Sequence, residues 1–251
     1  MDLCETHRST GSRHPWELAR VKALRAIAIK YDLIRSGMRT LDIGCGDGFI
    51  IDQLCAETVT KIDAVDIHLT TEQVRSFAKD RPNVMFHNDY TCLSFNDYGL
   101  LTMFDVLEHV KDDGAFLRDI IARFFQPGTV FFGTVPAFQS LLCSHDHFLG
   151  HHRRYSRSEF HQVLGSAELK VIASGYLFGS LLPVRALIAL AEKVFGVAQR
   201  APGIGQWRRG ALVTSAITQG LAVDNGVLLW LSKMGITIPG LTVWAVCRVS
   251  R

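Results

Sequence analysis

The stretch Leu41-Asp-Ile-Gly-Cys-Gly-Asp-Gly48 constrains this chain more than any other. Glycines stand at alternate positions 44, 46 and 48, directly after a short strand pattern from Arg39 to Ile43 and directly before a helical pattern reaching about Glu57. That spacing lets the backbone turn sharply and come close to a ligand, and the helix N-terminus that follows favours a carboxylate or phosphate. A dinucleotide-binding turn would ask for Gly or Ala at position 49, where Phe49 stands, and would not ask for an acid two residues before the first glycine. Asp42 suits a ligand ammonium, which a phosphate ligand lacks. A zwitterionic amino-acid tail fits both ends of the loop.

Around this loop the periodicity alternates. Strands are predicted at Arg39–Ile43, Lys61–Ile67, Asn83–His87, Leu100–Phe104, Thr129–Val135, Leu169–Tyr176 and Leu241–Val249. Helices are predicted at Pro15–Ile34, Thr71–Lys79, Asp112–Phe125 and Arg157–Ser166. Such alternation makes an α/β fold with a parallel sheet. Two apolar helical segments, about 181–196 and 210–234, flank a Gly/Pro-rich joint at Ala201–Gly205. The expected organisation is an N-terminal helical segment (1–36), a core (37–176 and 240–251) and a helical cap inserted before the last strand (177–239).

A length of 251 residues suits one such domain with additions, and 48% hydrophobic residues exclude a disordered chain. The six cysteines, at 4, 45, 55, 92, 143 and 247, show no CxxC pairing and read as reduced thiols. The segment Met1–Trp16 is polar and lacks the apolar core of a secretory signal, so a cytoplasmic protein is expected. A net charge of +3 does not argue for nucleic acid.

Asp42-x-Gly44-x-Gly46-x-Gly48 resembles the first motif of class I S-adenosylmethionine-dependent methyltransferases. Further pieces follow in that family's order. Asp66, beside Ile67, ends the second strand, where the family places an acid on the ribose hydroxyls; a carboxylate there accepts two hydrogen bonds from a vicinal diol. Asp63 is a competing acid on the same strand. Asn88-Asp89-Tyr90 resembles the segment flanking the adenine, and Asp105-Val-Leu-Glu-His109 resembles the DVLEH signature after strand four. One departure is Tyr98-Gly99, where many relatives carry Phe-Asp. The resemblance covers residues 40–135. It implies a Rossmann-like, doubly wound, mostly parallel seven-stranded sheet with helices on both faces. It also implies an S-adenosylmethionine-dependent enzyme whose cofactor is held by Asp42, Gly44, Cys45, Gly46, Gly48, Asp66, Ile67, Asp89, Tyr90 and Asp105.

Asp105, Glu108 and His109 stand at i, i+3 and i+4 and could converge as oxygen and nitrogen ligands of a divalent metal, an arrangement that some ubiquinone O-methyltransferases resemble. The reading adopted is metal-free, with His109 as a wall residue or weak base near the methyl group.

The second distinctive stretch is Ser144-His-Asp-His-Phe-Leu-Gly-His-His-Arg-Arg-Tyr-Ser156. It follows the fifth strand and so emerges at the carboxyl edge of the sheet, where ligands bind in open α/β folds. It reads as a metal cluster, a solvated basic loop, or an acceptor site. A subgroup of class I methyltransferases carries a similar H-D-x-x-x-G-H-x-R-R-Y stretch, matched from His145 to Tyr155, and this implies a lid over the cofactor. The resemblance extends to His14-Pro-Trp-Glu17. Candidate catalytic residues are therefore His109, His145, His151 and Tyr155, with Trp16, Arg153 and Arg154 on the acceptor.

The apolar C-terminal segments are expected to pack together as a cap, or else to form an acceptor tunnel or a membrane-surface face edged by Arg185, Lys193, Arg208 and Arg209. The function expected is methyl transfer to a small, apolar, aromatic, lipid-linked or carrier-linked acceptor. The alternatives are a non-catalytic scaffold of the same fold and a nucleic-acid methyltransferase. No Asn/Asp-Pro-Pro-Tyr-like motif follows strand four, so no nucleic-acid partner is expected.

Overall fold

The computed structural model describes residues 13–56, 58, 61–79, 81–94, 97–196 and 207–249. The joint at Ala201–Gly205, Cys4 and most of the polar N-terminus lie outside them. Seven strands form one sheet: β1 (Arg39–Ile43), β2 (Lys61–Val65), β3 (Val84–His87), β4 (Tyr98–Phe104), β5 (Val130–Pro136), β6 (Leu169–Leu177) and β7 (Thr242–Val249). Their spatial order is β3-β2-β1-β4-β5-β7-β6, and β7 alone runs antiparallel to its neighbours β5 and β6. The order reverses between β1 and β4, which opens a crevice at the carboxyl ends of these strands.

Alternation along the strands builds two cores. Leu41 and Ile43 of β1 and Leu101 and Met103 of β4 pack into one, against α4 (Asp113–Phe124) and α6 (Arg157–Ser166). Leu100, Phe104, Trp244 and Val246 pack into the other, with α1 (Pro15–Lys30) and α2 (Phe49–Cys55). α3 (Thr71–Ala78) lies beside β3.

The predicted elements are present, with ends shifted by a few residues. The largest shift is in α1, expected to reach Ile34. It stops at Lys30 because Asp32 adopts a left-handed conformation (φ 50°). Asp32 N–H then donates to Ile29 O and Leu33 N–H to Ala28 O, which closes the helix as a Schellman turn. A short helix, α5 (Ser144–Phe148), stands inside the stretch expected to be a loop.

α7 (Leu182–Phe195) and α8 (Ala211–Lys233) do not form the mutually packed cap that the sequence suggested. α7 rests on the turn at Gln139–Leu141, whereas α8 lies along α1 and β6.

Candidate active site

The glycine loop crosses from β1 to α2 with φ of 74°, 56° and 75° at Gly44, Gly46 and Gly48. A side chain is excluded at its two ends as well. A Cβ on Gly44 would lie 2.3 Å from Val106 Cγ2, and one on Gly48 would lie 2.6 Å from the Phe86 ring. The loop is pinned to the sheet by Gly44 N–H and Cys45 N–H, which both donate to Val65 O. Arg13 pairs with Asp47 in this loop and stacks over Phe49. This is a close-packed cradle of bare backbone in a conformation that glycine alone adopts without strain, as the zwitterionic tail expected from the sequence would need.

Acids ring the cradle. Asp66 lies just past β2, and Gly46 N–H donates to its Oδ2 at 3.0 Å while His68 N–H donates to Oδ1 at 2.9 Å. Ile67 beside it is exposed. Asp63, the rival, is buried and committed to Arg39 (2.8 Å), His87 (3.0 Å) and the Tyr98 hydroxyl (3.0 Å), so it is not available to a ligand. Tyr98, the departure from the family pattern, thus anchors β4 to β2. Asp42 is buried on the α1 side of the sheet, where the Thr102 hydroxyl donates to it at 2.6 Å, and burial pushes its carboxyl up to about 7. Asp89 is exposed and caps the turn Tyr90–Cys92 through Thr91, while the Tyr90 hydroxyl faces Asp119 at 3.4 Å.

Asp105 follows β4 with φ of 55°. It is not free to join Glu108 and His109, as its sequence spacing had suggested. Arg20 of α1 reaches across at 2.8 Å, and the Thr134 hydroxyl donates to it at 2.9 Å. Sequence reasoning missed Arg20, although a signal existed. Arg20 occupies the same helical stripe as the apolar Trp16, Leu24 and Ile27, which marks a cation on a buried face.

Where Asp105 withdraws, His151 enters. Glu108, His109 and His151 each offer a ligand atom within 4.8 Å of the others, and the His109 and His151 rings meet edge-on with centroids 4.6 Å apart. Glu108 is fully buried, and neither carboxylate oxygen has a hydrogen-bond partner. Burial, with Asp105 nearby, holds its carboxyl well above the usual carboxylate range. A hard divalent cation would satisfy both oxygens, so this set fits one in its donor chemistry.

The histidine-rich stretch expected to be a lid is organised by Asp146. Its Oδ1 takes His151 Nδ1 at 3.0 Å and Arg154 Nη2 at 2.7 Å; its Oδ2 takes Cys143 N–H at 2.9 Å and Arg185 Nη2 at 3.3 Å. Burial alone would raise this carboxyl, but the hydrogen bonds from His151 and Arg154 outweigh it and hold the group far below the usual range. The lid backbone is tied to the floor where His152 N–H donates to Glu108 O.

Two lid expectations need correction. The Tyr155 hydroxyl is buried and donates to Asp113 at 2.6 Å, and burial beside that acid raises its pKa, so it braces the lid rather than facing an acceptor. Arg153 and Arg154 are likewise turned to protein partners, Arg153 to Asp113 and Lys111 O and Arg154 to Asp146. His145 is partly buried, and burial with Arg185 nearby lowers its pKa, which keeps it neutral. Trp16 stacks on Phe178 at 5.4 Å in the α1 layer.

Residues 16–174 match the family described as Methyltransferase domain. The chain is 30% identical over 109 residues to the ubiquinone biosynthesis O-methyltransferase of Paracidovorax citrulli, a match covering 39% of this chain and 44% of that relative. It thus spans less than half the length of that protein. In structure it resembles the Haemonchus contortus phosphoethanolamine N-methyltransferase 2 solved with S-adenosyl-L-methionine. There the TM-score is 0.57 at 16% identity, over 92% of this chain and 52% of that one. It also resembles coclaurine N-methyltransferase bound to N-methylheliamine and S-adenosylhomocysteine, with a TM-score of 0.56 at 17% identity over 98% and 78% of the two chains.

Proposed function

Because the chain belongs to the class I S-adenosylmethionine-dependent methyltransferases, we propose that it transfers the methyl group of that cofactor to a small lipophilic acceptor, with His151 as the base. The observation that carries this reading is the Asp146–His151 pair, 3.0 Å apart, on a lid hydrogen-bonded to the segment after β4. The curated relatives named for ubiquinone biosynthesis support an apolar, aromatic or lipid-linked acceptor.

When bound, S-adenosylmethionine supplies an electrophilic methyl carbon on a sulfonium. The glycine loop would take its amino-acid tail, Asp66 its ribose, and the Asp89–Tyr90 segment the adenine side. Asp146, kept ionised by Arg154 and Arg185, holds the proton of His151 on Nδ1 and leaves the Nε2 lone pair to accept one. An acceptor hydroxyl or amine approaching in line loses its proton to Nε2 as its lone pair forms the new bond to carbon. The bound cofactor would supply that carbon as a methyl leaving sulfur, the electron pair of the old bond remaining on sulfur.

A second reading is favoured by the orphaned oxygens of Glu108: a divalent cation on Glu108, His109 and His151 would polarise the acceptor instead. His151→Ala tests the first reading. Cofactor affinity should stay within about threefold, under ~1 kcal/mol, while turnover falls on the order of 100-fold. Loss of cofactor binding with normal turnover per bound cofactor would make the lid a brace only.

A further inference from the structure

α8 is folded inside out. Its buried stripe is Thr214, Thr218, Leu221, Asn225 and Leu228, largely polar and turned toward α1 and β6. Thr214 accepts from the Trp207 indole and donates to Gly210 O, and Thr218 donates to Thr214 O, all close by in the chain, while Asn225 Oδ1 accepts from Phe178 N–H and its Nδ2 is left buried without a partner. The opposite, solvent-facing side carries Leu212 (87% exposed), Val223 (65%), Val227, Trp230 (56%) and Met234. A helix on a protein in water places its apolar stripe inward. Here the largely polar stripe faces inward, tied to the fold through Asn225, and the apolar one is left outside.

The charges complete the pattern. Between Ala211 and Ser232 the one charged residue is Asp224, which is engaged by Ser180 N–H. Exposed cations stand at both ends, Arg208 and Arg209 before the helix and Lys233 in its last turn. By length and composition alone the helix is apolar enough to cross a membrane. One side of it, however, is fastened to α1, so only the outer side is open to lipid. An uncharged apolar face, cations at its two ends and a tryptophan near one of them match a helix lying in the plane of the headgroups.

We propose that the outward face of α8 docks on an anionic lipid bilayer, with Leu212, Val223, Val227 and Trp230 entering the acyl boundary and Arg208, Arg209 and Lys233 meeting the headgroups. This stands independently of the methyl-transfer reading. The test is co-sedimentation of the intact chain with vesicles of phosphatidylcholine containing about one-third phosphatidylglycerol. Binding is expected, weakened with phosphatidylcholine alone and reduced about tenfold or more in Val223→Glu/Val227→Glu, whose thermal midpoint should be unchanged. Brominated lipid chains should quench fluorescence in the wild type, and this quenching should be lost in Trp230→Phe. The proposal is overturned if no vesicle binds, or if the double substitution leaves binding intact. It is equally overturned if the face instead mediates a dimer in light scattering that the double substitution breaks.

Discussion

Arg20 Nη2 lies 2.8 Å from Asp105 Oδ2 and donates to Thr134 Oγ1 at 2.9 Å, so one side chain of α1 clasps the ends of both β4 and β5. Arg20 is 2% exposed, and its Nε has no partner. The clasp holds Asp105 in its left-handed conformation and keeps it from Glu108. Arg20→Met should therefore leave a carboxylate partly buried without its cation. The expected loss is about 2 kcal/mol, below the 3–5 typical of fully buried pairs because Asp105 stays one-quarter exposed. Urea unfolding measures it, and an unchanged midpoint would mean that the pair contributes nothing.

The glycine loop separates strain from ligand contact. Gly44→Ala meets both a positive φ and Val106, so it should destabilise the fold by roughly 2–4 kcal/mol. Gly46→Val should abolish S-adenosylmethionine binding in calorimetry by filling the space for the methionine tail. Unaltered affinity in that variant would remove the loop from the cofactor site.

Asp42 sets a pH dependence. Its folded value of about 7 lies above the ordinary 3.8, so the folded chain keeps a proton that the unfolded chain has released. The sign follows: stability is greatest below about pH 4, falls as pH rises through the interval to 7, then levels off. The full loss is on the order of 4 kcal/mol. Urea unfolding at pH 5 and pH 8 should show more than half of this, about 2–3 kcal/mol, and Asp42→Asn should erase most of it. A cofactor ammonium beside Asp42 would lower its pKa, so binding should release a proton and tighten as pH rises toward 7. Equal binding enthalpies in buffers of different ionisation enthalpy, which would mean that no proton is released, would contradict that.

Glu108 decides between the two readings of the chemistry. Without a cation, burial holds it protonated, so Glu108→Gln should change stability by less than ~1 kcal/mol. Turnover should then survive exhaustive chelation. Turnover lost on chelation and restored by magnesium or manganese would install the cation on Glu108, His109 and His151.

Much of the framework was legible because its signals are local. Three glycines forced to positive φ announce a tight strand-to-helix turn wherever they occur. Asp66 could be preferred to Asp63 by strand position, and the structure adds the reason, since Asp63 is consumed by Arg39, His87 and Tyr98. The spacing of Asp105, Glu108 and His109 leaves a joint metal site open as an alternative, because spacing along a helical turn says nothing about Arg20, 85 positions earlier in the chain. Tyr155 as a catalytic residue and Arg154 on the acceptor follow from residue type alone, whereas their partners, Asp113 and Asp146, are assigned only by packing.

By itself the sequence determined the alternation of strands and helices, the glycine turn and the acids at the strand ends, all consequences of torsion and short-range periodicity. The tertiary structure decided which charges pair. Asp146 gathers His151 and Arg154 from its own loop and Arg185 from α7, and Glu108 is left buried with its oxygens unmet. It also decided which side of α8 faces the fold. Periodicity can show that a helix has an apolar stripe. It cannot show that Asn225 meets Phe178 N–H on the inner side while Thr214 and Thr218 are satisfied by carbonyls of their own turn, which lets a largely polar stripe be buried there.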